Sequence, residues 1–452
     1  MPLIGASDTS IALAVSLALY LLVAGPVLAV CFYAIARKPS DATERAVADV
    51  ERFIELRERA RTELAASGSL DRFIELKDEA RRHLWQPASE RAHPERRSSK
   101  PETPPVSQIM RPARLRVATN RTVRKGEPMR VFVAGAAGAI GQRLVPQLVA
   151  RGHHVVATTR SPEKLERLRA LGAEPVVMDG LNALEIGEAV ARAEPDAIIH
   201  QMTALAGMSD LRRFDRGFAV TNELRTKGTD HLLCAAEAAG VRRFLAQSYT
   251  GWPNIRDGGP VKTEDDPLDP HPPKQQSQTL EAIRFLERAV LAAPLEALVL
   301  RYGNFYGPGA SEQMLDVVRK RKLPIVGAGG GIWSWIHIDD AAAATVAALE
   351  QGAPGIYNIV DDEPAPVSEW LPYLAEAVGA KPPRHVSVWL GRLAAGEVGV
   401  SMMTKIRGSS NAKAKRELGW QPKWSSWRDG FRQALTDDGT AAPSRSPERP
   451  AA

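Results

Sequence analysis

A strand, a glycine-rich turn and a helix follow one another in the segment that most constrains this chain. It reads VFVAGAAGAIGQRLVPQLVARGHHVVATTR over Val131–Arg160. An apolar run predicts a strand that ends at Gly135, and an amphipathic pattern predicts a helix over 139–151. Gly138 and Gly141 lie between that strand and the body of the helix. This order is typical of the first unit of a parallel α/β sheet.

Each glycine of this turn meets one structural requirement of a dinucleotide-binding site. Gly135 permits the tight turn, Gly138 lets a pyrophosphate approach the backbone, and Gly141 lets the helix pack against the strand. The free N–H groups at the start of the helix, where Ala139 and Ile140 lie, attract phosphate. An incidental glycine-rich turn is the alternative, but the position between a strand and a helix favours a cofactor site.

The residues after the next two strands bear on the cofactor. NAD sites usually place an acidic residue at the end of the second strand, whereas this chain has Arg160 there, which can pair with a 2′-phosphate. We therefore predict NADP, with NAD as the alternative; a surface arginine is the other interpretation. Asp179 ends the third strand and is predicted to accept a hydrogen bond from the adenine amino group or to cap the helix that follows.

Strand and helix patterns alternate over the C-terminal two thirds of the chain. This alternation predicts a domain over 129–435 with the Rossmann fold, a doubly wound parallel sheet of the α/β class. A smaller C-terminal substrate domain is expected mainly from 302–330 and 360–435. The polar, proline-rich residues 436–452 are predicted to be a disordered tail.

The N-terminal part predicts a membrane anchor. Residues 10–36 carry no charge, and as a helix they span about 40 Å, which is enough to cross a bilayer. We predict a single transmembrane helix within 1–40. Arg37 and Lys38 follow it, so the positive-inside rule places the main domain in the cytoplasm. If translation instead starts at Met129, a cytoplasmic protein is expected.

Two similar segments follow this apolar run. RFIELRERARTEL is repeated as RFIELKDEARRHL twenty positions later, which predicts a pair of amphipathic helices within 41–86 and a possible homodimer. Residues 87–128, rich in proline, arginine and serine, are predicted to be a disordered linker. The net charge of +6 comes with no nucleic-acid motif, so we expect no nucleic-acid partner. The two cysteines predict neither a disulfide framework nor a metal site.

Further motifs along the domain carry a family resemblance. They are DAIIHQMTA at 196–204, TN at 221–222 with GT at 228–229, RRFLAQSYT at 242–250, LRYGNFYGPG at 300–309 and WIHIDD at 335–340. Together with the GxxGxxG loop, they resemble the extended short-chain dehydrogenases/reductases of the NAD-dependent epimerase/dehydratase type. The resemblance implies cofactor contacts from Gln201, Met202 and Thr203. The gap from Asn222 to Gly228 is longer than in the family, which predicts a bulge in that helix.

The catalytic pair of the family is missing. The resemblance implies a Tyr and, four positions on, a Lys that lowers the pKa of the phenol. Aligning Glu287 with the acidic residue late in the family's helix places Thr279 and Ile283 at those positions, and no Tyr occurs between Pro253 and Leu300. The chain is therefore predicted to be an atypical member.

Three hydroxyl residues at the end of the fifth strand are the catalytic candidates. They are Ser248, Tyr249 and Thr250, where the resemblance places a hydroxyl that holds the substrate. In one alternative, another group donates the proton: Tyr249 lies at the strand end, and Lys262 or Lys274 swings in. In a second, the reaction is a reduction whose proton comes from Ser248 or Thr250, or from His200 or water. In a third, the domain binds NADP without turnover.

The leading prediction is an NAD(P)-dependent oxidoreductase or epimerase/dehydratase-like enzyme. Its substrate would be a small carbonyl compound or a molecule resembling a nucleotide sugar, and the sequence leaves the identity of that substrate open. A non-catalytic NADP-binding sensor or scaffold is the alternative. In the later motif, we expect Asp339 or Asp340 to cap the next helix, and His337 to be a packed side chain.

Overall fold

The computed structural model describes residues 127–205 and 210–433. The predicted transmembrane helix in 1–40, the helical pair in 41–86, the tail 436–452 and all but the last two residues of the linker lie outside these ranges. None of the helices in the described ranges has both the length and the hydropathy that crossing a bilayer requires.

Seven parallel strands form the central sheet. They are β1 (Arg130–Ala134), β2 (His154–Thr159), β3 (Glu174–Val177), β4 (Ala197–His200), β5 (Arg243–Tyr249), β6 (Glu296–Tyr302) and β7 (Gly355–Ile359). Their order is β3-β2-β1-β4-β5-β6-β7, with every neighbouring pair parallel. The predicted Rossmann fold is therefore confirmed. The strand order reverses between β1 and β4, and ligands of such sheets bind in the crevice at that point.

Helices cover both faces of the sheet and build the C-terminal part of the domain. They are α1 (Ala139–Ala150), α2 (Leu165–Ala170), α3 (Ala183–Ala193), α4 (Phe214–Gly217), α5 (Ala219–Glu223), α6 (Thr229–Ala238), α7 (Ser277–Ala292), α8 (Glu312–Arg319), α9 (Ile338–Gln351), α10 (Val367–Ala377), α11 (Val388–Thr404), α12 (Ala412–Leu418) and α13 (Trp427–Gln433). Helices α1 and α9 pack together on one face, and α3, α6 and α7 cover the other.

Strand β1 shows why two layers form. Val131 and Val133 lie in the apolar core beneath α1, whereas Phe132 and Ala134 lie in the core of the opposite face. Successive side chains of a strand point to opposite sides, so an uninterrupted apolar strand requires a helical layer on each face.

Shorter elements complete the domain. Short strands lie at Val261–Lys262, Asn304–Tyr306, Ile325–Val326, Ile332–Trp333, Trp335–His337, Ala365–Pro366, His385–Val386 and Gly408–Ser409. Single 3₁₀ turns lie at Pro162–Lys164, Leu211–Arg213 and Lys274–Gln276. A separate apolar cluster gathers residues between 306 and 335 and between 365 and 431, around Trp335 and Trp370. That this part binds the substrate stays a prediction.

A π-helical turn, Leu224–Gly228, joins α5 to α6. It falls inside the lengthened interval between Asn222 and Gly228, so the predicted bulge is confirmed. A π turn absorbs additional residues within a helix because its hydrogen bonds reach one residue further than those of an α-helix.

The predicted cap of α9 is wrong. Neither Asp339 nor Asp340 caps this helix: the cap is His337, whose Nδ1 accepts a hydrogen bond from the N–H of Asp339 at 3.2 Å. Asp340 instead accepts hydrogen bonds from the N–H groups of Lys423 and Trp424, at 2.9 and 2.8 Å. Its carboxylate therefore ties the C-terminal segment to α9.

Candidate active site

The turn after β1 is held between its two neighbouring strands. Gly135 has a φ of +89°, and a Cβ there would lie 2.8 Å from the backbone carbonyl carbon and oxygen of Gln201. On the other side, the N–H of Gly135 donates to Oγ1 of Thr158 at 3.1 Å, and the N–H of Ala136 donates to the carbonyl of Thr158 at 3.0 Å. Thr158 thus fixes the turn, a role that the sequence alone did not reveal.

Gly138 leaves the N-terminus of α1 open. It caps the helix in an extended conformation, no side chain hydrogen-bonds the cap, and the first turn contains no acidic residue. A Cβ on Gly138 would meet only the carbonyl oxygen of Gly135, at 3.3 Å, whereas one on Gly141 would lie 2.2 Å from the carbonyl oxygen of Ala136. Ala139 is exposed beside Gly138, and Ile140 is buried in the core. This open cradle with free N–H groups fits a dinucleotide pyrophosphate.

Arg160 directly follows β2 and is exposed. Its side chain forms no hydrogen bond or ion pair with any residue in the described ranges. The guanidinium is therefore available to a ligand, and its predicted contact with a 2′-phosphate stays a prediction.

Asp179 follows β3 and stabilises a turn. Its Oδ1 accepts from the N–H of Leu181 at 3.0 Å, and its own N–H donates to Glu185 at 2.7 Å. The side chain of Asn182, not Asp179, caps α3 by accepting from the N–H groups of Leu184 and Glu185. The capping alternative for Asp179 is therefore wrong, and its contact with adenine stays a prediction.

The residues after β4 lie directly against the glycine loop. Gln201 is buried; its N–H donates to the carbonyl of Ala134 at 2.8 Å, and its Nε2 donates to the hydroxyl of Tyr302 at 3.0 Å. Met202 is buried and Thr203 half-buried. The structure thus brings these predicted cofactor residues together with the glycines at the point where the strand order reverses.

The three hydroxyl candidates at the end of β5 have different partners. Tyr249, half-buried, donates to Oδ1 of Asn304 at 2.7 Å, and burial raises the pKa of its phenol above the ordinary value. Thr250 shares a 2.6 Å hydrogen bond with the hydroxyl of Ser409. Ser248 donates to Glu287 at 2.7 Å. Their catalytic roles stay predictions; the side chain of Tyr249 is half-buried, whereas Ser248 and Thr250 are buried.

The hydrogen bond of Ser248 belongs to a buried ion pair. Glu287 accepts two hydrogen bonds from Arg301, from Nε at 2.8 Å and from Nη2 at 2.7 Å. All three side chains are at least nine-tenths buried. Both oxygens of the Glu287 carboxylate therefore accept hydrogen bonds from Arg301 or Ser248.

Helix α7 has structural side chains at the two positions that align with the family's catalytic pair. The buried hydroxyl of Thr279 donates to Oδ1 of Asp215 at 2.6 Å and accepts from Nδ2 of Asn222 at 3.1 Å. Asp215 also accepts from the N–H groups of Gln278 and Thr279, so it caps α7 from a distant segment. Ile283 is fully buried in an apolar cluster. Neither position offers a phenol or an ammonium group.

Arg225 is a residue of the site that the sequence interpretation missed. It lies in the π turn, is 6% exposed, and its guanidinium carbon is 5.8 Å from the ring centroid of Phe218. Burial lowers the pKa of Arg225 to about 10, while the nearby charges of Glu287 and Tyr249 oppose this shift. The lengthened interval after Asn222 was the signal that could have pointed to it.

Comparison with known proteins identifies the family. The model of the "NAD dependent epimerase/dehydratase family" matches residues 131–360. A 3-diazoavenalumate denitrifying reductase from Streptomyces sp is 42% identical over 309 residues, which cover 67% of this chain and 99% of that protein. A 2-alkyl-3-oxoalkanoate reductase from Stenotrophomonas maltophilia is 30% identical over 268 residues, which cover 56% of this chain and 76% of that protein.

Solved structures share the fold. A dTDP-glucose 4,6-dehydratase from Streptomyces venezuelae, solved with NAD, superposes with a TM-score of 0.55 at 24% identity, covering 68% of this chain and 97% of that chain. The family model and the 42% identical reductase make the chain an NAD(P)-dependent oxidoreductase or epimerase/dehydratase-like enzyme whose cofactor is a nicotinamide dinucleotide, and nothing in these comparisons favours the sensor alternative. It belongs to the NAD-dependent epimerase/dehydratase family.

Proposed function

We propose that this protein is an NADPH-dependent reductase of a small carbonyl compound. One observation carries the proposal: the phenol of Tyr249 donates a hydrogen bond to Oδ1 of Asn304, and burial raises the pKa of that phenol. Tyr249 is therefore protonated near neutral pH and serves as an acid rather than as a base.

The state of Tyr249 decides between the two directions of reaction. Oxidation of a hydroxyl group, with which an epimerase would start, releases a proton that a base must accept. Thr279 and Ile283 supply no base, and Ser248 is bonded to Glu287. Reduction of a carbonyl consumes a proton, which a protonated phenol can donate.

The proposed reaction balances with two reactants and one proton. A bound nicotinamide supplies a hydride, and hence two electrons, to the carbonyl carbon. The carbonyl π bond breaks, and the oxygen takes the proton of Tyr249, which is replaced from solvent. The net change is carbonyl, NADPH and a proton to alcohol and NADP⁺.

Two further observations support the choice of cofactor and direction. The guanidinium of Arg160 is unpartnered within the described residues, at the strand end where a 2′-phosphate would be bound. Both relatives compared above, from Streptomyces sp and Stenotrophomonas maltophilia, are named as reductases, one of a diazo compound and one of a 3-oxoalkanoate.

A hydride-transfer assay tests the proposal. Full-length protein is incubated with NADPH deuterated at C4 and a panel of aromatic and aliphatic ketones and aldehydes, and the products are analysed by mass spectrometry. We expect deuterium in an alcohol product from at least one carbonyl. A Gly138→Val variant, with its cofactor cradle filled, is the matched control and should transfer far less deuterium at the same NADPH concentration.

Two results would contradict the proposal. One is tight NADPH binding with no transfer of deuterium to any carbonyl compound, which would favour the non-catalytic sensor. The other is interconversion of nucleotide sugars without added NADPH, which would make the protein an epimerase.

A further inference from the structure

A buried cation beside the catalytic candidates has no anion of its own. The Nη1 atom of Arg225 is buried, and no residue within 127–205 or 210–433 forms a hydrogen bond or an ion pair with this side chain. We propose that Arg225 binds a carboxylate of the substrate in the cleft beside Tyr249, so that the enzyme selects anionic acceptors. This inference rests on the proposed reductase function for the identity of that cleft.

The balance of buried charge supports the proposal. The carboxylate of Glu287 interacts electrostatically with Arg225. Its oxygens, however, already accept two hydrogen bonds from Arg301 and one from Ser248. Burial lowers the pKa of neighbouring His200 to about 4, so this side chain adds no charge at neutral pH. Glu264 interacts with Arg301 and not with Arg225, so Arg225 is the buried guanidinium to which no carboxylate of the described residues is bonded. An unpaired buried ion is unfavourable, and a ligand that brings an anion removes that penalty.

The π turn explains how the cation comes to lie there. A π turn changes the direction of the side chains that follow it, and such turns occur frequently at functional sites. Beside it, Oδ1 of Asn222 is a second buried polar atom without a partner among the described residues. Helix α7, which carries Thr279 and Ile283, packs against the same turn. Helix α7, which lacks the family's lysine, thus packs against the π turn that carries the guanidinium of Arg225.

The surroundings of Arg225 favour a planar anion. Its guanidinium lies against Phe218, which stacks on Phe214 with ring centroids 4.4 Å apart. Trp252 lies edge-on to Phe214 and 6.3 Å from the ring of Tyr249. A guanidinium offers two parallel N–H groups, which match the two oxygens of a carboxylate.

Binding of a matched pair of probes tests the proposal without turnover. Full-length protein saturated with NADP⁺ is titrated calorimetrically with benzoate and with benzamide, which has the same shape but no charge. We expect wild-type protein to bind benzoate about tenfold more tightly or better, as expected for charge-assisted hydrogen bonds. Arg225→Met should abolish this preference and leave benzamide binding unchanged, and Arg225→Lys should keep part of it.

Lys227→Met is the matched control. Lys227 belongs to the same π turn and carries the same charge, but it is only half-buried and pairs with Glu223 at 3.1 Å. Its replacement should leave the preference for benzoate intact. If both substitutions reduce the preference equally, only the general positive potential matters and the assignment to Arg225 is wrong.

Three other outcomes would overturn the inference. Equal binding of benzoate and benzamide by the wild-type protein would contradict the inference. This result needs no variant, so the test remains valid even if Arg225→Met does not fold. A benzoate preference retained in Arg225→Lys and Arg225→Met would also contradict it. Weaker NADP⁺ binding in Arg225→Met with an unchanged probe ratio would assign the guanidinium to the cofactor. Because the readout is binding, failure of carbonyl reduction is seen separately.

Discussion

The phenol of Tyr249 and the amide of Asn304 form a 2.7 Å hydrogen bond across 55 positions of the chain. Asn304 is itself held in place, since both its N–H and its Nδ2 donate to the carbonyl of Ser334, at 2.8 and 3.1 Å. The phenol at the end of β5 is therefore oriented by a residue whose own position is set by two hydrogen bonds. Such a preset orientation is what a proton donor in a cleft requires.

Replacing Tyr249 by Phe should abolish most of the reductase activity. Loss of a general acid typically lowers kcat by about 10²–10⁴-fold, whereas the Kd for NADPH should stay within about twofold because the glycine loop is untouched. Burial raises the pKa of Tyr249, so the wild-type rate should be flat from about pH 6 to pH 9. Stopped-flow kinetics and a binding titration measure both quantities. Full turnover in Tyr249→Phe would assign the proton to another group.

Replacing Gly138 by Val should separate cofactor binding from folding. The side chain would project into the open cradle, where it meets little of the protein but blocks the approach of a pyrophosphate. We expect the Kd for NADPH to rise about 100-fold, a loss of ~2.7 kcal/mol, with little change in Tm. Gly187→Ala in α3 is the control, because a Cβ there meets nothing within 4 Å. Unchanged NADPH affinity in Gly138→Val would place the pyrophosphate elsewhere.

Replacing Arg160 by Ala should change the choice of cofactor. Loss of a guanidinium bound to a 2′-phosphate should raise the Kd for NADPH about tenfold or more and leave NADH binding almost unchanged. Arg169→Ala removes an exposed arginine from α2, where it pairs with Glu166, and should affect neither cofactor. Fluorescence titration with both nucleotides measures the ratio. An equal effect on the two would refute the assignment of Arg160 to the phosphate.

Replacing Glu287 by Gln should destabilise the domain. The change leaves the buried guanidinium of Arg301 without its carboxylate, which costs about 3–5 kcal/mol of unfolding free energy. The control is Glu296→Gln, since Glu296 is exposed where it pairs with Arg243, and we expect a loss of at most about 1 kcal/mol. Urea unfolding measures both. Equal losses would mean that the buried ion pair contributes no more to the unfolding free energy than the exposed pair does.

Acid should weaken the fold through buried histidines. Burial lowers the pKa of His337 and of His200 to about 4, below the ordinary 6.5. Between these values the unfolded chain binds protons that the folded chain does not, so stability is complete above pH 6.5 and decreases as the pH falls. The loss from pH 7.5 to 5 is about 2 kcal/mol for each histidine.

A variant can assign part of this pH dependence to one residue. Asn at position 337 still offers an oxygen to cap α9 but does not titrate. In His337→Asn, the difference in unfolding free energy between pH 7.5 and pH 5 should shrink by about 2 kcal/mol. His154→Asn changes an exposed histidine and should leave the difference unaltered. An unchanged difference in His337→Asn would exclude His337 as the source.

Local patterns predicted the outline of the domain. The alternation of strands and helices gave the parallel sheet, and the spacing of Gly135, Gly138 and Gly141 gave the turn that faces the cofactor. Even the π turn was visible as a lengthened interval before Gly228. The membrane helix, the helical pair, the linker and the tail stay predictions. The error at α9 has a physical cause. The cap of this helix is a ring nitrogen of histidine, whereas the usual capping residues are Ser, Thr, Asp and Asn.

Sequence by itself determined which stretches form strands, where the backbone has no side chain, and that α7 lacks a tyrosine and a lysine. These are local properties, set by residue periodicity and by the absence of a Cβ. Only the tertiary structure decided that Ser248 meets Glu287, that Tyr249 meets Asn304, and that Arg225 is buried. Hydrogen bonds and ion pairs form between groups that folding brings within about 3 Å, and distance along the chain says nothing about which groups those are.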